Sequence, residues 1–83
     1  MSDSRTFTVL YFGLLSERRG LAEEKVTSNA ETLSALYAEL DAAHALGLKT
    51  ENFRAAVNDE FAAWDLQIIG GETVAFLPPM SGG

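Results

Sequence analysis

Ser28-Asn29-Ala30-Glu31-Thr32-Leu33-Ser34-Ala35-Leu36-Tyr37-Ala38-Glu39-Leu40-Asp41-Ala42-Ala43-His44-Ala45-Leu46-Gly47 carries the one long helical pattern in the chain. Leu33, Leu36, Tyr37, Leu40 and Ala43 recur at steps of three and four, which puts them on one helical face. Glu31, Glu39 and Asp41 fall elsewhere. Ser28 with Glu31 three residues later fits a capping box, in which the two side chains satisfy backbone N–H groups of the first turn. The spacing predicts a helix over about residues 29–45, with Gly47 as its stop. A helix with one apolar face has to bury it, so the flanking segments decide the architecture.

Before the helix, Thr6-Phe7-Thr8-Val9-Leu10-Tyr11-Phe12-Gly13 is rich in β-branched and aromatic residues on both alternating sets. That pattern suits a central strand. Residues 14–19 are long enough for one helical turn, with Gly20 as a left-handed stop. Residues 23–27 alternate around Val26 and read as a half-exposed second strand. After the helix, residues 53–57 are apolar, Asn58-Asp59 signals a turn, and Glu60-Phe61-Ala62 reads as the returning hairpin strand. Residues 66–69 are apolar and end at the turn Gly70-Gly71. In residues 72–77, Val74 and Phe76 fall on one side and Thr73, Ala75 and Leu77 on the other. Pro78-Pro79 closes this strand, because neither residue can donate to a ladder. The order is strand, strand, helix, then two or three short strands. This predicts an α+β fold with one helix crossing a mixed sheet. A right-handed crossover places the last long strand beside the first and parallel to it, which is the β-grasp or ubiquitin-like plan.

The chain has 83 residues, of which 47% are hydrophobic, so one small domain with a compact core is expected. Six Lys and Arg stand against 12 Asp and Glu, for a net charge of -6. That balance argues against nucleic acid as a partner and favours a basic partner surface. There are no cysteines, which excludes disulfides, thiolate metal centres and thiol nucleophiles. No apolar run approaches the roughly 20 residues that cross a bilayer, and the N-terminus lacks a signal pattern. A cytoplasmic protein with no membrane partner is expected. With one His, side-chain catalysis has few candidates.

The C-terminus offers a different chemistry. The core strand ends at Leu77, the two prolines stiffen the exit, and Met80-Ser81-Gly82-Gly83 follow. Residues 1–79 are expected to form the β-grasp domain and residues 80–83 a flexible tail. Two glycines make that tail thin enough to thread a narrow channel. The Gly83 carboxylate is then the group this chain delivers into another protein's active site. ATP can convert a carboxylate to an acyl-adenylate, and a sulfur nucleophile can displace AMP to leave a thiocarboxylate. An inert tail on a plain interaction module is the competing reading.

The ending Gly71-Glu72-Thr73-Val74-Ala75-Phe76-Leu77-Pro78-Pro79-Met80-Ser81-Gly82-Gly83 resembles that of the small subunit of molybdopterin synthase, the MoaD family of ubiquitin-like sulfur carriers. Val9-Leu10-Tyr11-Phe12-Gly13, Glu17-Arg18-Arg19-Gly20 and Val57-Asn58-Asp59-Glu60 are similar to it as well. The family often has a proline between residues 61 and 69, where this chain has none, and Gly70-Gly71 stands in place of Asp-Gly. The resemblance implies that Gly83 is adenylated by a ubiquitin-activating-type adenylyltransferase using ATP and is then thiocarboxylated. It implies that Met80, Ser81 and Gly82 thread the large synthase subunit of a heterotetramer. Sulfur would pass to cyclic pyranopterin monophosphate in molybdenum cofactor biosynthesis. The catalytic side chains would belong to the large subunit, with no cofactor bound by this chain. Carriers of the thiazole (thiamine) type share Gly-Gly but generally lack the Pro-Pro-apolar-Ser before it. A ubiquitin-like modifier joined to lysines would use the same activated end.

Phe12 and Leu77 are the expected docking residues. If Val74 and Phe76 face the helix, Leu77 faces away beside the tail, and Phe12 lies opposite in sense to Tyr11. Exposed apolar residues there make a docking patch; the alternative is that the chain's own loops cover them. His44 is read as a helix-end residue favoured by the dipole, Asp59-Glu60 as a turn without a metal, Gly70-Gly71 as a turn, and Trp64 as a loop or edge anchor with an interface role as the alternative.

Overall fold

The computed structural model describes residues 4–77. Strand β1 (Arg5–Tyr11) is followed by helix α1 (Leu14–Arg19), strand β2 (Glu23–Ser28) and helix α2 (Leu33–His44). A 3-10 turn (Thr50–Asn52) then leads to β3 (Arg54–Val57), β4 (Glu60–Ala62) and β5 (Thr73–Leu77). Among the described residues the strands form one 5-stranded sheet in the order β2-β1-β5-β3-β4. β1 and β5 run parallel, with Val9 opposite Val74 and Tyr11 opposite Phe76. The other pairings are antiparallel. The expected α+β β-grasp architecture is the one observed.

Strict alternation produces the two faces of the sheet. Phe7, Val9 and Tyr11 of β1 and Val74 and Phe76 of β5 are buried. They pack with Leu33, Leu36, Tyr37 and Leu40 of α2 in one core. Burying each such side chain is worth about 1.5–3 kcal/mol, which is what a small domain needs to offset its chain entropy. Tyr37, Phe53, Trp64 and Phe76 form an aromatic cluster in this core, with Tyr37 and Phe53 ring centroids 4.9 Å apart and Phe53 and Trp64 5.1 Å apart. Trp64 is therefore a half-buried anchor of the core.

The start of α2 differs from the capping-box expectation. The helix begins at Leu33, and its N-cap is Thr32, whose side chain accepts from Ala35 N at 3.2 Å. Ser28 ends β2 instead, buried, with its Oγ accepting from Ala30 N at 2.9 Å and donating to Glu39 Oε1 at 2.8 Å. The reason is tertiary. Leu33 N donates to Leu66 O and Ser34 N to Trp64 O, so the loop over residues 64–66 satisfies N–H groups that a capping box would otherwise serve. Residues 31 and 32 are held by that same loop, through Ile68 N to Glu31 O at 3.0 Å and a bridge from Thr32 to Gln67. The other end also shifts. Ala45, at φ 55, takes the left-handed C-cap position, and Gly47, at φ 80, lies beyond it. Asp41 ties down both, its carbonyl accepting from Ala45 N and its carboxylate from Gly47 N at 2.8 Å.

Residues 66–69 form no ladder strand beyond that single bridge. Ile68 is buried while Ile69 is 77% exposed. The Glu72 carboxylate accepts from Ile69 N at 2.9 Å and Gly70 N at 2.7 Å, closing the turn into β5. The β3–β4 hairpin is as expected: Asn58 and Asp59 have φ 52 and 73, the conformation a two-residue hairpin turn requires.

Candidate functional site

The parallel pairing of β1 and β5 brings two strand ends to one corner of the sheet. Tyr11 lies opposite Phe76, so Phe12 and Leu77, the next residues, leave from the same place. Val74 and Phe76 face the core, and alternation turns Leu77 to the opposite, open face. Leu77 is half-buried there and Phe12 is 43% exposed. Residues 78–83, which include Met80, Ser81, Gly82 and Gly83, lie outside the described residues, as does the division between residues 79 and 80. The chain continues to them from this corner.

The open face extends from Leu77 in both directions. Thr8 and Leu10 of β1 and Ala75 of β5 lie on it, half-exposed. β3 contributes Arg54, opposite Leu77, and Ala56, opposite Ala75. β4 contributes Phe61, opposite Ala56. Phe61 is 70% exposed, and the Arg54 guanidinium carbon sits 5.8 Å from its ring centroid. Phe61 was not among the expected docking residues. Its signal in the sequence is the Asn58-Asp59 hairpin, which sets the register that turns Phe61 outward.

A polar network fastens α1 beside the same corner. Arg19 grips Glu24 bidentately, Nε to Oε2 at 2.9 Å and Nη2 to Oε1 at 2.7 Å. The Tyr11 hydroxyl donates to Glu24 Oε2 at 2.6 Å. Arg18 Nη1 donates to Leu46 O at 2.6 Å, tying α1 to the loop after α2. Leu15 is buried beneath α1, while Leu14 is 40% exposed next to Phe12. The Arg19 hydrogen bonds, helped by that from Tyr11, hold the Glu24 carboxyl below its usual value despite partial burial. Burial, then the hydrogen bond to Glu24, pushes the Tyr11 hydroxyl well above the ordinary tyrosine range, so it stays a proton donor.

The remaining candidates resolve as structural parts. His44 is the last residue of α2. Asp59 sits in the hairpin turn and Glu60 opens β4 opposite Val57, and no group of three or more His, Cys, Asp or Glu is placed to hold a metal among the described residues. Gly70 and Gly71 form the turn before β5, at φ 112 and 88. No helix among the described residues is long and apolar enough to cross a membrane.

Comparison with known proteins adds to this geometry. The chain is 33% identical over 78 residues to the molybdopterin synthase sulfur carrier subunit of Escherichia coli (strain K12), covering 90% of this chain and 96% of that one. Its fold matches the small archaeal modifier protein 1 of H. volcanii with a TM-score of 0.79 at 21% identity, over 92% of this chain and 99% of that chain. It also matches a chain in the complex of subunits 1 and 2 of the molybdopterin-converting factor from Helicobacter pylori 26695, with a TM-score of 0.63 at 25% identity, over 94% and 99% of the two chains. The ThiS family model matches residues 9–83. With a β-grasp sheet, a parallel β1–β5 pair leading out to Gly83 and this match over most of its length, the chain belongs to the ThiS family.

Proposed function

We propose that this protein is the sulfur carrier subunit of molybdopterin synthase, working through the carboxylate of Gly83. The observation that carries this reading is the segment Pro78-Pro79-Met80-Ser81-Gly82-Gly83 following directly on a core strand, in a chain 33% identical to a molybdopterin synthase sulfur carrier subunit. The carboxylate attacks the α-phosphorus of ATP on an adenylyltransferase, releasing pyrophosphate. A nucleophile at the sulfide oxidation level then displaces AMP and leaves the thiocarboxylate. Met80, Ser81 and Gly82 thread the large subunit's channel, and two such transfers onto cyclic pyranopterin monophosphate supply the dithiolene sulfurs. The large subunit provides the catalytic side chains, and the work is cytoplasmic.

Phe12, Leu77 and Phe61 form the docking surface in this reading. Phe12 and Leu77 flank the corner where the tail leaves, and Phe61 extends the apolar surface across β3 to β4, so the contact that holds the complex also aims the tail. α1, fastened by Arg18 and Arg19, holds Phe12 in place.

Removing Gly83 tests the proposal. The shortened chain is expected to unfold at the same temperature as the full chain, because Gly83 stands seven residues beyond Phe76, the last core residue among the described ones, yet to lose adenylation and sulfur transfer. Intact-mass measurement on protein from its native cell is expected to show one oxygen replaced by sulfur at the C-terminus. Normal pterin product from the shortened chain overturns the carrier reading. A thiocarboxylate that feeds thiazole instead, or an isopeptide bond to protein lysines, reassigns the pathway and keeps the carrier chemistry. The matching ThiS family model supports the thiazole alternative; the Pro78-Pro79-Met80-Ser81 segment favours molybdopterin.

A further inference from the structure

The chain holds six Lys and Arg against a net charge of -6, and their placement is uneven. Arg5 donates to the carbonyls of Ala30 and Ile68, Arg18 to that of Leu46, and Arg19 to Glu24. These three hold the chain's own structure together. Lys25 lies on the open face opposite Thr8, on the far side of β1 from the strand that leads to the tail. Lys49 lies in the loop after α2. Arg54 is the cation beside the docking corner: it faces Leu77 across the β3–β5 ladder and lies over Phe61. It is exposed, and the ion pair seen among the described residues is the one between Arg19 and Glu24.

We propose that Arg54 is a specificity-determining contact, selecting a large subunit that presents a carboxylate at the edge of its apolar docking groove. The inference rests on the carrier reading above. An acidic chain calls for a mostly basic partner surface, and a uniformly basic one repels Arg54. A partner with one carboxylate set into that basic rim satisfies both. Discrimination then comes from repulsion of wrong partners as much as from attraction of the right one.

The local geometry suits a carboxylate. A guanidinium resting on an aromatic face keeps its N–H edge free for two parallel hydrogen bonds, and the ring limits its motion before binding. Residues directly opposite on an antiparallel pair have Cβ atoms about 4.5–5.5 Å apart. The Arg54 backbone therefore lies one strand spacing from Leu77, while its guanidinium leans over Phe61 of β4, so the receiving carboxylate lies on the β4 side of the socket for Leu77. Docking of the apolar patch removes water from the pair, and a desolvated charge-assisted bond is stronger than an exposed one.

The test uses the full chain and the large subunit encoded in the same genome, with affinity and thermal unfolding measured on each preparation. Arg54→Met is expected to weaken the complex about tenfold and Arg54→Glu more, with unfolding unchanged. Arg54→Lys is expected to keep part of the affinity, since it keeps the charge and loses the fork. One Asp→Lys or Glu→Lys exchange on the large subunit is expected to restore binding to Arg54→Glu. Full affinity in Arg54→Glu, alongside lost affinity in Leu77→Glu, overturns the role of Arg54 and leaves the carrier reading standing. Equal losses of stability and affinity in all the Arg54 variants overturn it as well, by showing a structural role. Failure of the unaltered chain to bind the large subunit overturns the carrier reading together with this inference.

Discussion

Glu24 accepts from Tyr11 and from two nitrogens of Arg19, which joins β1, β2 and the end of α1 through one carboxylate. Its carboxyl is held below the usual value, so the folded state favours the charged form. The stabilisation is fully present above the ordinary glutamate range near pH 4.3 and is lost as pH falls through the lowered folded value. Glu24→Gln is expected to lose about 1–2 kcal/mol near neutrality, with the gap to the unaltered chain closing below about pH 4. Urea unfolding across pH checks this; a gap independent of pH refutes the ion pair as its cause. On the open face, Phe61→Ser is expected to leave unfolding within about 0.5 kcal/mol, because Phe61 is largely exposed. It should still weaken large-subunit binding about tenfold or more, the worth of one buried aromatic side chain. Leu77→Glu is the sharper variant. It is expected to disrupt the complex by placing a charge in an apolar contact, whereas an equal loss of fold stability places Leu77 in the core.

Helix α2 shows how an element's boundary is set by its neighbours. Its opening N–H groups bond to the carbonyls of Trp64 and Leu66, and Thr32 caps it, so the acidic Glu31 has no capping role. Glu31→Ala is therefore expected to change stability by less than about 0.5 kcal/mol. Thr32→Ala is expected to cost about 1 kcal/mol, which lowers the unfolding temperature by about 4–8 °C in a domain of this size. The reverse order of effects would restore the capping box over Ser28 and Glu31. Helix α1 depends on its clamps in the same way. A helix of this length is marginal alone, and Arg18, Arg19 and buried Leu15 hold it in place.

At the scale of the whole molecule, the proposed function requires a chain of net charge -6 to meet two partners through one corner. Complementary charge mainly speeds encounter, while apolar anchors hold the complex. Association with the adenylyltransferase and with the large subunit is expected to slow markedly as salt rises to physiological strength, where the Debye length is about 8 Å. Dissociation should change less. The two partners are expected to compete, because one tail cannot enter two channels. Stopped-flow association at several salt concentrations, with each partner alone and then both, measures this. Simultaneous binding with a salt-independent association rate refutes the shared corner.

The sequence by itself determined the element order, the alternation that buries Val74 and Phe76 and turns Leu77 outward, the hairpin at Asn58-Asp59 and the left-handed stop at Gly20. These follow from period-two patterning, turn chemistry and the glycine backbone, all of which act over a few residues. The long tail motif and its resemblance were equally legible, being local strings. Three features were decided only by the tertiary structure. The loop over residues 64–66 moved the start of α2, because backbone donors take whichever acceptor the fold supplies. Residues 66–69, apolar enough for a strand, became irregular chain with Ile68 inside and Ile69 outside, since Leu66, Gln67 and Ile68 pair with residues 31–33 at the start of α2 instead of with the sheet. The open face brought Leu77 of β5, Arg54 of β3 and Phe61 of β4 together through ladder register, which no spacing along the chain encodes.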